Sequence, residues 1–298
     1  MSEPSSEHSA NRVSSPLISP EALAARLGDP NLLVVDCRFD LAGPDKGQCD
    51  YESAHIPGAV YAHLDRDLSD LSARGLGRHP LPTDAALSAA FSRWGLHRDM
   101  DVVAYDDANG ALAAARLWWL LRLAGHERAA VLDGGLAAWR VAGLPLASDA
   151  ATERRGDIHA TIDRGQVVGY DELERRRADR RIVLIDARAA PRYRGEVEPI
   201  DPKAGHVPGA LNRPFSDNLD ASGRFKSPSM LRDAFTALIG SHAPTDVVHM
   251  CGSGVTACHN LLAMEQAGLH GSRVFAPSWS GWISDPARPV ASGDSSGE

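Results

Sequence analysis

The sequence predicts an α/β protein with two tandem domains, each a parallel sheet covered by helices on both faces. Short, continuously apolar segments such as 32–35 and 182–185 have the length of strands buried on both faces. They alternate with helical patterns, which favours parallel pairing. The same series of segments then occurs twice along 298 residues, a length that suits about two domains.

The two halves share three sequence features in the same order, and this repetition indicates two copies of one domain. They are Asp-x-Arg after the first strand (Asp36 to Arg38, Asp186 to Arg188), His-x-Pro-Gly-Ala (55–59, 206–210) and a closing tryptophan (Trp139, Trp282). We expect domains at 16–147 and 165–293, joined by a polar linker at 148–164. The polar ends at 1–15 and 294–298 are predicted to be tails, the first of them disordered.

The bulk composition excludes several classes of function. A net charge of −8 gives no general attraction to nucleic acid or to an anionic membrane. No apolar run reaches the roughly 18 residues of a membrane span, and the first residues lack the features of an export signal. Four cysteines in a chain of this length predict reduced thiols and a cytoplasmic protein, with no zinc spacing and no metal or other cofactor.

The segment around Cys251 carries the strongest chemical signal. Cys251 follows the predicted strand 246–250 and precedes a glycine loop, after which a helix is predicted from Val255 to Ala267. Ligands of open parallel sheets bind at the carboxyl ends of strands. Loop N–H groups and a helix N-terminus favour the thiolate, which is the nucleophilic form. A lone cysteine is more often a small core residue, but two glycines in the turn favour a nucleophile here.

The equivalent place in the first half is occupied by Asp106, which cannot act as a sulfur nucleophile. We therefore expect one reactive centre, with a first domain that keeps the fold without that chemistry. A cysteine phosphatase is the first alternative, because it also places a cysteine in such a loop. Its loop ends in an arginine that clamps phosphate, and that position here is Ala257, which argues against it.

Together, the duplicated domain, the twofold His-x-Pro-Gly-Ala motif and the loop Cys-Gly-Ser-Gly-Val-Thr-Ala at 251–257 resemble the rhodanese family of sulfurtransferases. The resemblance extends from Pro16 to about Val290 and implies two rhodanese-like domains, the first inactive and the second catalytic. The loop is similar to that of the 3-mercaptopyruvate branch. The thiosulfate branch typically has Arg-Lys after the cysteine, where this chain has Gly252 and Ser253.

The resemblance implies a role for each matching residue. Cys251 would take sulfur from 3-mercaptopyruvate as a persulfide, release pyruvate and pass the sulfur to cyanide or a thiol such as thioredoxin or glutathione. Ser253, His79 and Asp67 would form a proton relay, with Asp65 a close alternative to Asp67. Arg192 would bind the substrate carboxylate. The remaining predicted binding residues belong to the loop: Gly252, Gly254, Val255 and Thr256.

Two departures from the family pattern bear on the donor. A second carboxylate-binding arginine of many 3-mercaptopyruvate enzymes corresponds to Asp201, and a tyrosine of some relatives corresponds to Leu112. Thiosulfate therefore stays open as the donor, and a non-enzymatic sulfur- or anion-binding module is the alternative of another class. Arg116 matches a family arginine at the domain interface.

Four further expectations concern structural roles. The Asp-x-Arg occurs in both halves, so we expect Arg188 to form an ion pair rather than to bind substrate. His55 and His206 are expected to brace their turns, and Cys258 is expected to lie in the core.

Overall fold

The computed structural model describes residues 15–149, 155–179 and 181–294. The predicted tails, apart from residues 15 and 294, lie outside these ranges, as do residues 150–154 of the predicted linker. Over the described ranges, no helix combines the length and the apolar character needed to cross a membrane.

The first half contains a five-stranded sheet of β1 (Leu17–Ile18), β2 (Leu32–Asp36), β3 (Val60–Tyr61), β4 (Asp101–Tyr105) and β5 (Ala129–Leu132). The strand order is β1-β5-β4-β2-β3, and every neighbouring pair is parallel. All residues of β2, β4 and β5 are buried. This explains why these strands read as continuous apolar runs rather than as an alternating pattern.

Helices of the first half connect these strands. They are α1 (Pro20–Ala24), α2 (Lys46–Ser53), α3 (Leu64–Asp67), α4 (Asp84–Arg93), α5 (Ala113–Leu123) and α6 (Gly135–Val141). Side-chain caps mark several helix starts; the Thr83 hydroxyl, for example, accepts the Ala86 N–H at 3.1 Å before α4.

The second half repeats the arrangement with four strands, β6 (Val183–Asp186), β7 (Leu211–Asn212), β8 (Val247–Met250) and β9 (Arg273–Val274). Their order is β7-β6-β8-β9, and every neighbouring pair is again parallel. In the second half, a single parallel bridge between Val167 and Val274 takes the place of the β1–β5 pairing of the first half. The predicted α/β class with two copies of one fold is confirmed.

The helices of the second half are α7 (Tyr170–Ala178), α8 (Ala190–Arg194), α9 (Pro228–Ile239), α10 (Ala257–Gln266) and α11 (Ser278–Trp282). Helix α10 begins two residues later than predicted, because Val255 and Thr256 still belong to the loop after β8. Short 3-10 turns occupy Arg164–Gln166, Phe215–Asn218 and Pro244–Asp246.

Helices α5 and α10 pack against each other and join the two halves. Every residue of α5 except Arg122 is buried, as are residues 257–264 of α10. One apolar cluster therefore extends through both halves. Burial of apolar surface stabilises by roughly 25 cal/mol per Å², so this contact opposes separation of the halves.

The expected structural roles of the repeated motifs are present. Arg38 and Arg188 pair with Asp36 and Asp186 at 2.7 and 2.6 Å. The two histidines of the Pro-Gly motifs each contact the backbone of a preceding helix through Nδ1 and stack on its tyrosine (His55 with Tyr51, His206 with Tyr193). Predictions of an Arg188 ion pair and of bracing histidines are therefore confirmed.

Candidate active site

Cys251 lies directly after β8, at the carboxyl end of the second sheet, and is only 2% exposed. It forms part of the wall of a cavity of about 280 Å³ between the two halves. Most predicted site residues line the same cavity: His79, Arg192, Gly252, Ser253, Val255 and Thr256. Phe39, Leu41, Leu64 and Leu112 of the first half contribute an apolar side to it.

The loop holds the sulfur atom of Cys251 through the backbone. The Gly254 N–H donates to Cys251 Sγ at 3.2 Å. Gly254 has φ +77°, and a Cβ there would lie 2.3 Å from the carbonyl oxygen of Ala276. Only glycine permits this close, left-handed turn, so its presence fixes the direction of the N–H toward the sulfur.

Ser278 fixes the backbone of Cys251 from the opposite side. The Cys251 N–H donates to Ser278 Oγ at 3.1 Å, and that hydroxyl donates to the Phe275 carbonyl at 3.0 Å. Ser278 has φ +53°, a conformation that a residue with a side chain rarely adopts. The equivalent residue of the first half is Gly135, with φ +57°. The strain at Ser278 is therefore offset by hydrogen bonds that position the backbone of Cys251.

His79 of the first half reaches Ser253 in the loop of the second. Its Nδ1 atom lies 2.8 Å from Ser253 Oγ, and its Nε2 atom lies 3.3 Å from Asp65 Oδ1. Burial lowers the pKa of His79, while Asp65 acts in the opposite direction. The hydrogen bond from His79 lowers the pKa of Asp65. A neutral imidazole beside an ionised carboxylate follows, which suits proton transfer near neutral pH.

Asp65, rather than Asp67, is the carboxylate beside His79. The prediction that Asp67 would lie there was wrong, and its alternative, Asp65, takes that position. Asp67 accepts the His63 N–H at 2.8 Å and pairs with Arg93 at 2.5 Å. Both acids belong to α3, where residues two apart project from different faces. The short helix presents Asp65 to the cavity side and Asp67 to α4.

Arg116 connects the loop to His79 from beneath. Its Nη1 donates to the Gly254 carbonyl at 3.0 Å, and its Nη2 donates to the His79 carbonyl at 3.2 Å. The side chain is fully buried and packs over the Trp119 ring. No carboxylate among the described residues pairs with it. Arg116 is therefore a buried cation that hydrogen-bonds two main-chain carbonyls, one from each half, and also interacts with the Cys258 side chain.

Arg192 lies at the mouth of the cavity in a group of charges. It donates to Glu198 at 2.6 Å and to Asp201 at 3.2 Å, both through Nη2. Glu198 also receives Arg188 Nη1 at 3.4 Å. Arg78 of the first half reaches the same Asp201 at 2.6 Å. Three arginines therefore share Asp186, Glu198 and Asp201, so the group as a whole is close to neutral.

The corresponding loop of the first half is filled by its own side chain. Asp106 Oδ1 accepts the N–H groups of Ala108 and Gly110, and Oδ2 accepts those of Leu112 and Ala114. The carboxylate is fully buried, and this burial raises its pKa to about 6. In the first half the loop N–H groups therefore bind the Asp106 carboxylate, whereas in the second half the Gly254 N–H binds Cys251 Sγ.

The remaining cysteines lie away from the cavity. Cys258 is buried, donates to the Gly254 carbonyl at 3.4 Å, and has a pKa raised to about 12 by burial. Cys37 is also buried, and Cys49 is exposed. Two larger cavities, of about 530 and 540 Å³, are lined by no cysteine. The described residues contain no cluster of His, Cys, Asp or Glu able to hold a metal ion.

Sequence reasoning missed Arg78, Ser278 and the ion pairs of Asp201. Arg78 is adjacent to His79 in the chain, so its presence near the site could have been inferred from that neighbour. Ser278 occupies a position where the first half has Gly135, and comparing the repeats would have exposed it. The contact of Arg78 with Asp201 joins residues 123 positions apart and has no local signal.

Comparison with known proteins gives a consistent result. The family model for the rhodanese-like domain matches residues 19–142 and again 170–285. A Pseudomonas aeruginosa protein named "Probable 3-mercaptopyruvate sulfurtransferase" is 49% identical, covering 94% of this chain and 99% of that protein. A candidate thiosulfate sulfurtransferase of Mycobacterium tuberculosis, SseB, is 39% identical, covering 93% of this chain and 97% of that protein.

The structural match agrees with these relatives. The crystal structure of SseA from Escherichia coli, a 3-mercaptopyruvate sulfotransferase, superposes with a TM-score of 0.78 at 30% identity. The superposition covers 90% of this chain and 100% of that chain.

Proposed function

The chain belongs to the rhodanese-like family of sulfurtransferases, and we propose that it moves the sulfur of 3-mercaptopyruvate to a thiol or cyanide acceptor through a persulfide on Cys251. The observation that carries this proposal is the position of Cys251 Sγ under the Gly254 N–H, in a cavity that also contains His79, Ser253 and Arg192. Relatives named for this reaction match nearly the whole chain.

The proposed first step conserves atoms and electrons within the two reactants. Cys251 Sγ, as the thiolate, attacks the sulfur of 3-mercaptopyruvate and forms an S–S bond. The bond from that sulfur to C3 breaks, and its electron pair passes to the pyruvate enolate. This pair then forms a C–H bond at C3 with the proton of the donor thiol, delivered directly or through the protein, so pyruvate leaves and the persulfide anion remains. No external oxidant or reductant takes part.

Proton transfer in this step is assigned to Ser253, His79 and Asp65. If Nε2–H of His79 donates to Asp65, Nδ1 accepts the Ser253 hydroxyl, whose oxygen lies next to the loop. Ser253 can then give a proton to the enolate and recover one through His79. Positioned groups of this kind typically contribute about 10²- to 10⁴-fold to a rate. The negative sulfur of the persulfide would accept the loop N–H groups.

The charge of the cavity supports a monocarboxylate donor over thiosulfate. Gly252 and Ser253 bring no cation to the loop, and the three arginines at the mouth are matched by three carboxylates. A doubly charged anion gains little in such a neutral group. A single carboxylate needs less compensation and can accept a charge-assisted hydrogen bond from Nη1 of Arg192, which makes no hydrogen bond among the described residues.

Thiosulfate is the second candidate donor, and the Mycobacterium tuberculosis relative favours it. Parallel turnover of 3-mercaptopyruvate and thiosulfate, with cyanide as the common acceptor, tests the choice. We expect the larger kcat/KM for 3-mercaptopyruvate. A larger value for thiosulfate would overturn the proposed donor but leave Cys251 as the sulfur carrier.

The persulfide has its own test. Intact mass spectrometry after incubation with 3-mercaptopyruvate, without acceptor, should show the gain of one sulfur atom, and Cys251→Ser should show none. Cys49→Ser is the matched control, because it removes the exposed cysteine. A wild-type mass that stays unchanged would contradict the mechanism.

The acceptor is proposed by class. Cys251 lies at the bottom of an open cavity, so a small thiol such as glutathione, or cyanide, can reach the outer sulfur, as can a protein thiol on a projecting loop such as that of thioredoxin. We propose the cytoplasm as the compartment, because the second step needs reduced thiols, which the cytosol maintains.

A further inference from the structure

Asp201 joins the two halves of the molecule at the mouth of the cavity. Its Oδ1 receives Arg78 Nη1 from the first half at 2.6 Å, and its Oδ2 receives Arg192 Nη2 from the second at 3.2 Å. The Asp201 side chain is only 2% exposed, while those of Arg78 and Arg192 are 25% and 19% exposed. The buried acid therefore fixes two partly exposed guanidinium groups side by side.

Each of these guanidinium groups has a second terminal nitrogen on the cavity side, Nη2 in Arg78 and Nη1 in Arg192. The position that a Cβ of Gly252 would take lies 3.3 Å from Arg78 Nη2 and 3.7 Å from Arg192 Nη1. Neither nitrogen makes a hydrogen bond within the described part of the chain. Because Gly252 has no side chain, the space between these two nitrogens and the loop stays open.

We propose that Arg78 is the second carboxylate-binding arginine of this site, acting together with Arg192, and that Asp201 positions both. This assignment rests on the proposed function, since it concerns the carboxylate of the donor. Asp201 occupies the sequence position where a second arginine was expected from the family pattern. The cation is thus supplied from the first half, and the acid at 201 holds it.

The loop that carries Arg78 is built to keep it there. The Arg78 N–H donates to Ser280 Oγ at 3.0 Å. Gly77 has φ +87°, and a Cβ at this residue would lie 2.4 Å from the Pro277 carbonyl oxygen. The segment 77–79 is therefore pressed against the start of α11. His79, the next residue, reaches Ser253, so one loop would deliver both an anion-binding group and a proton-transfer group.

Arg78 also retains unused hydrogen-bonding capacity. Its Nε atom is buried and has no hydrogen-bond partner among the described residues. Buried donors are nearly always paired in proteins, so a guanidinium left partly unpaired in a cavity wall fits a group that completes its bonds with a ligand. A carboxylate between Arg78 and Arg192 would receive one charge-assisted hydrogen bond from each.

Steady-state kinetics of Arg78→Ala test the assignment with two donors. One is 3-mercaptopyruvate, and the other is 1-mercaptopropan-2-one, which has the same thiol and ketone but no carboxylate. We expect kcat/KM for 3-mercaptopyruvate to fall about 10- to 100-fold, mainly through KM, because one charge-assisted hydrogen bond is lost. The value for the neutral donor should stay within about twofold of wild type. Arg78→Lys should recover part of the loss, since it keeps the charge without the fork.

Arg74→Ala is the matched control, because Arg74 is an exposed arginine of the same loop. Equal losses with both donors would show that Arg78 only supports the fold, and unchanged kinetics would show that it has no role; either result overturns the assignment. If wild-type protein did not turn over 3-mercaptopyruvate at all, the proposed function would fail instead. The two failures are therefore distinguishable.

Discussion

His79 Nδ1 and Ser253 Oγ lie 2.8 Å apart although 174 residues separate them in the chain. One belongs to the half without a cysteine in its loop and the other to the half with Cys251. The reactive cavity therefore needs both halves, and the first is more than a wall for the second. Four predictions follow from this joint construction and from the buried groups around it.

Asp65→Asn should slow sulfur transfer strongly, whereas Asp67→Asn should leave kcat within a few-fold of wild type. The Asp65 carboxylate favours the protonated form of His79, so its removal should shift the pKa of His79 further down. Loss of this orienting group should lower kcat by about 10²-fold. Stopped-flow release of pyruvate and an NMR titration of His79 measure the two effects. A larger loss of kcat in Asp67→Asn than in Asp65→Asn would show that Asp67, and not Asp65, belongs to the proton relay.

Arg116→Met should reduce kcat more than it raises KM. The substitution removes both hydrogen bonds that hold the Gly254 and His79 carbonyls, so the loop and the histidine lose their fixed separation. Misplacement of reacting groups by about 1 Å can cost 10²-fold in rate. Arg122→Met, on the exposed side of α5, is the matched control. A KM effect alone would mean that Arg116 serves donor binding instead.

Gly252→Ala and Gly254→Ala should fail in different ways. At Gly254 the positive φ and the 2.3 Å approach to Ala276 oppose any side chain, so we expect lost activity and unfolding easier by roughly 1–3 kcal/mol. At Gly252 the methyl group would meet only the tips of Arg78 and Arg192, so stability should hold while KM rises. Denaturant unfolding and steady-state kinetics separate the outcomes. Equal destabilisation of both variants would contradict the contrast.

Acid should destabilise the protein through its buried histidines. Burial lowers the pKa of His249 and of His259 to about 3, so between pH 3 and 6.5 the unfolded chain binds more protons than the native one. Stability from these groups is complete above pH 6.5 and is lost as the pH falls, with a slope of about 1.4 kcal/mol per pH unit for each. Asp106 acts in the opposite direction, because its pKa is raised.

Denaturant unfolding at several pH values between 4 and 6 measures this slope. His249→Gln and His259→Gln should each reduce it by about 1.4 kcal/mol per pH unit. His97→Gln, at the surface, is the control for loss of a histidine. An unchanged slope in both buried variants would show that other groups govern acid unfolding.

Local patterns in the sequence were sufficient for the fold class and for most of the cavity. Buried parallel strands, the duplicated motifs and the glycine loop are all encoded over a few residues, and they singled out Cys251. Ser253 and His79 were assigned only through the resemblance to the rhodanese family. The choice between Asp65 and Asp67 was beyond reach, because it depends on how the one-turn helix α3 is rotated against the second half. The Arg78–Asp201 pair depends on how the two halves dock, which no short pattern records.

The four hydrogen bonds of Asp106 give the first half an intramolecular ligand. A free anion would have to displace a carboxylate that is tethered to its own receptor, at an effective concentration on the order of millimolar or above. The loop of the first half therefore has these four N–H groups bound to its own side chain. Of the two loops of the same design, the one at Cys251 is therefore the loop that presents its residues to the cavity between the halves.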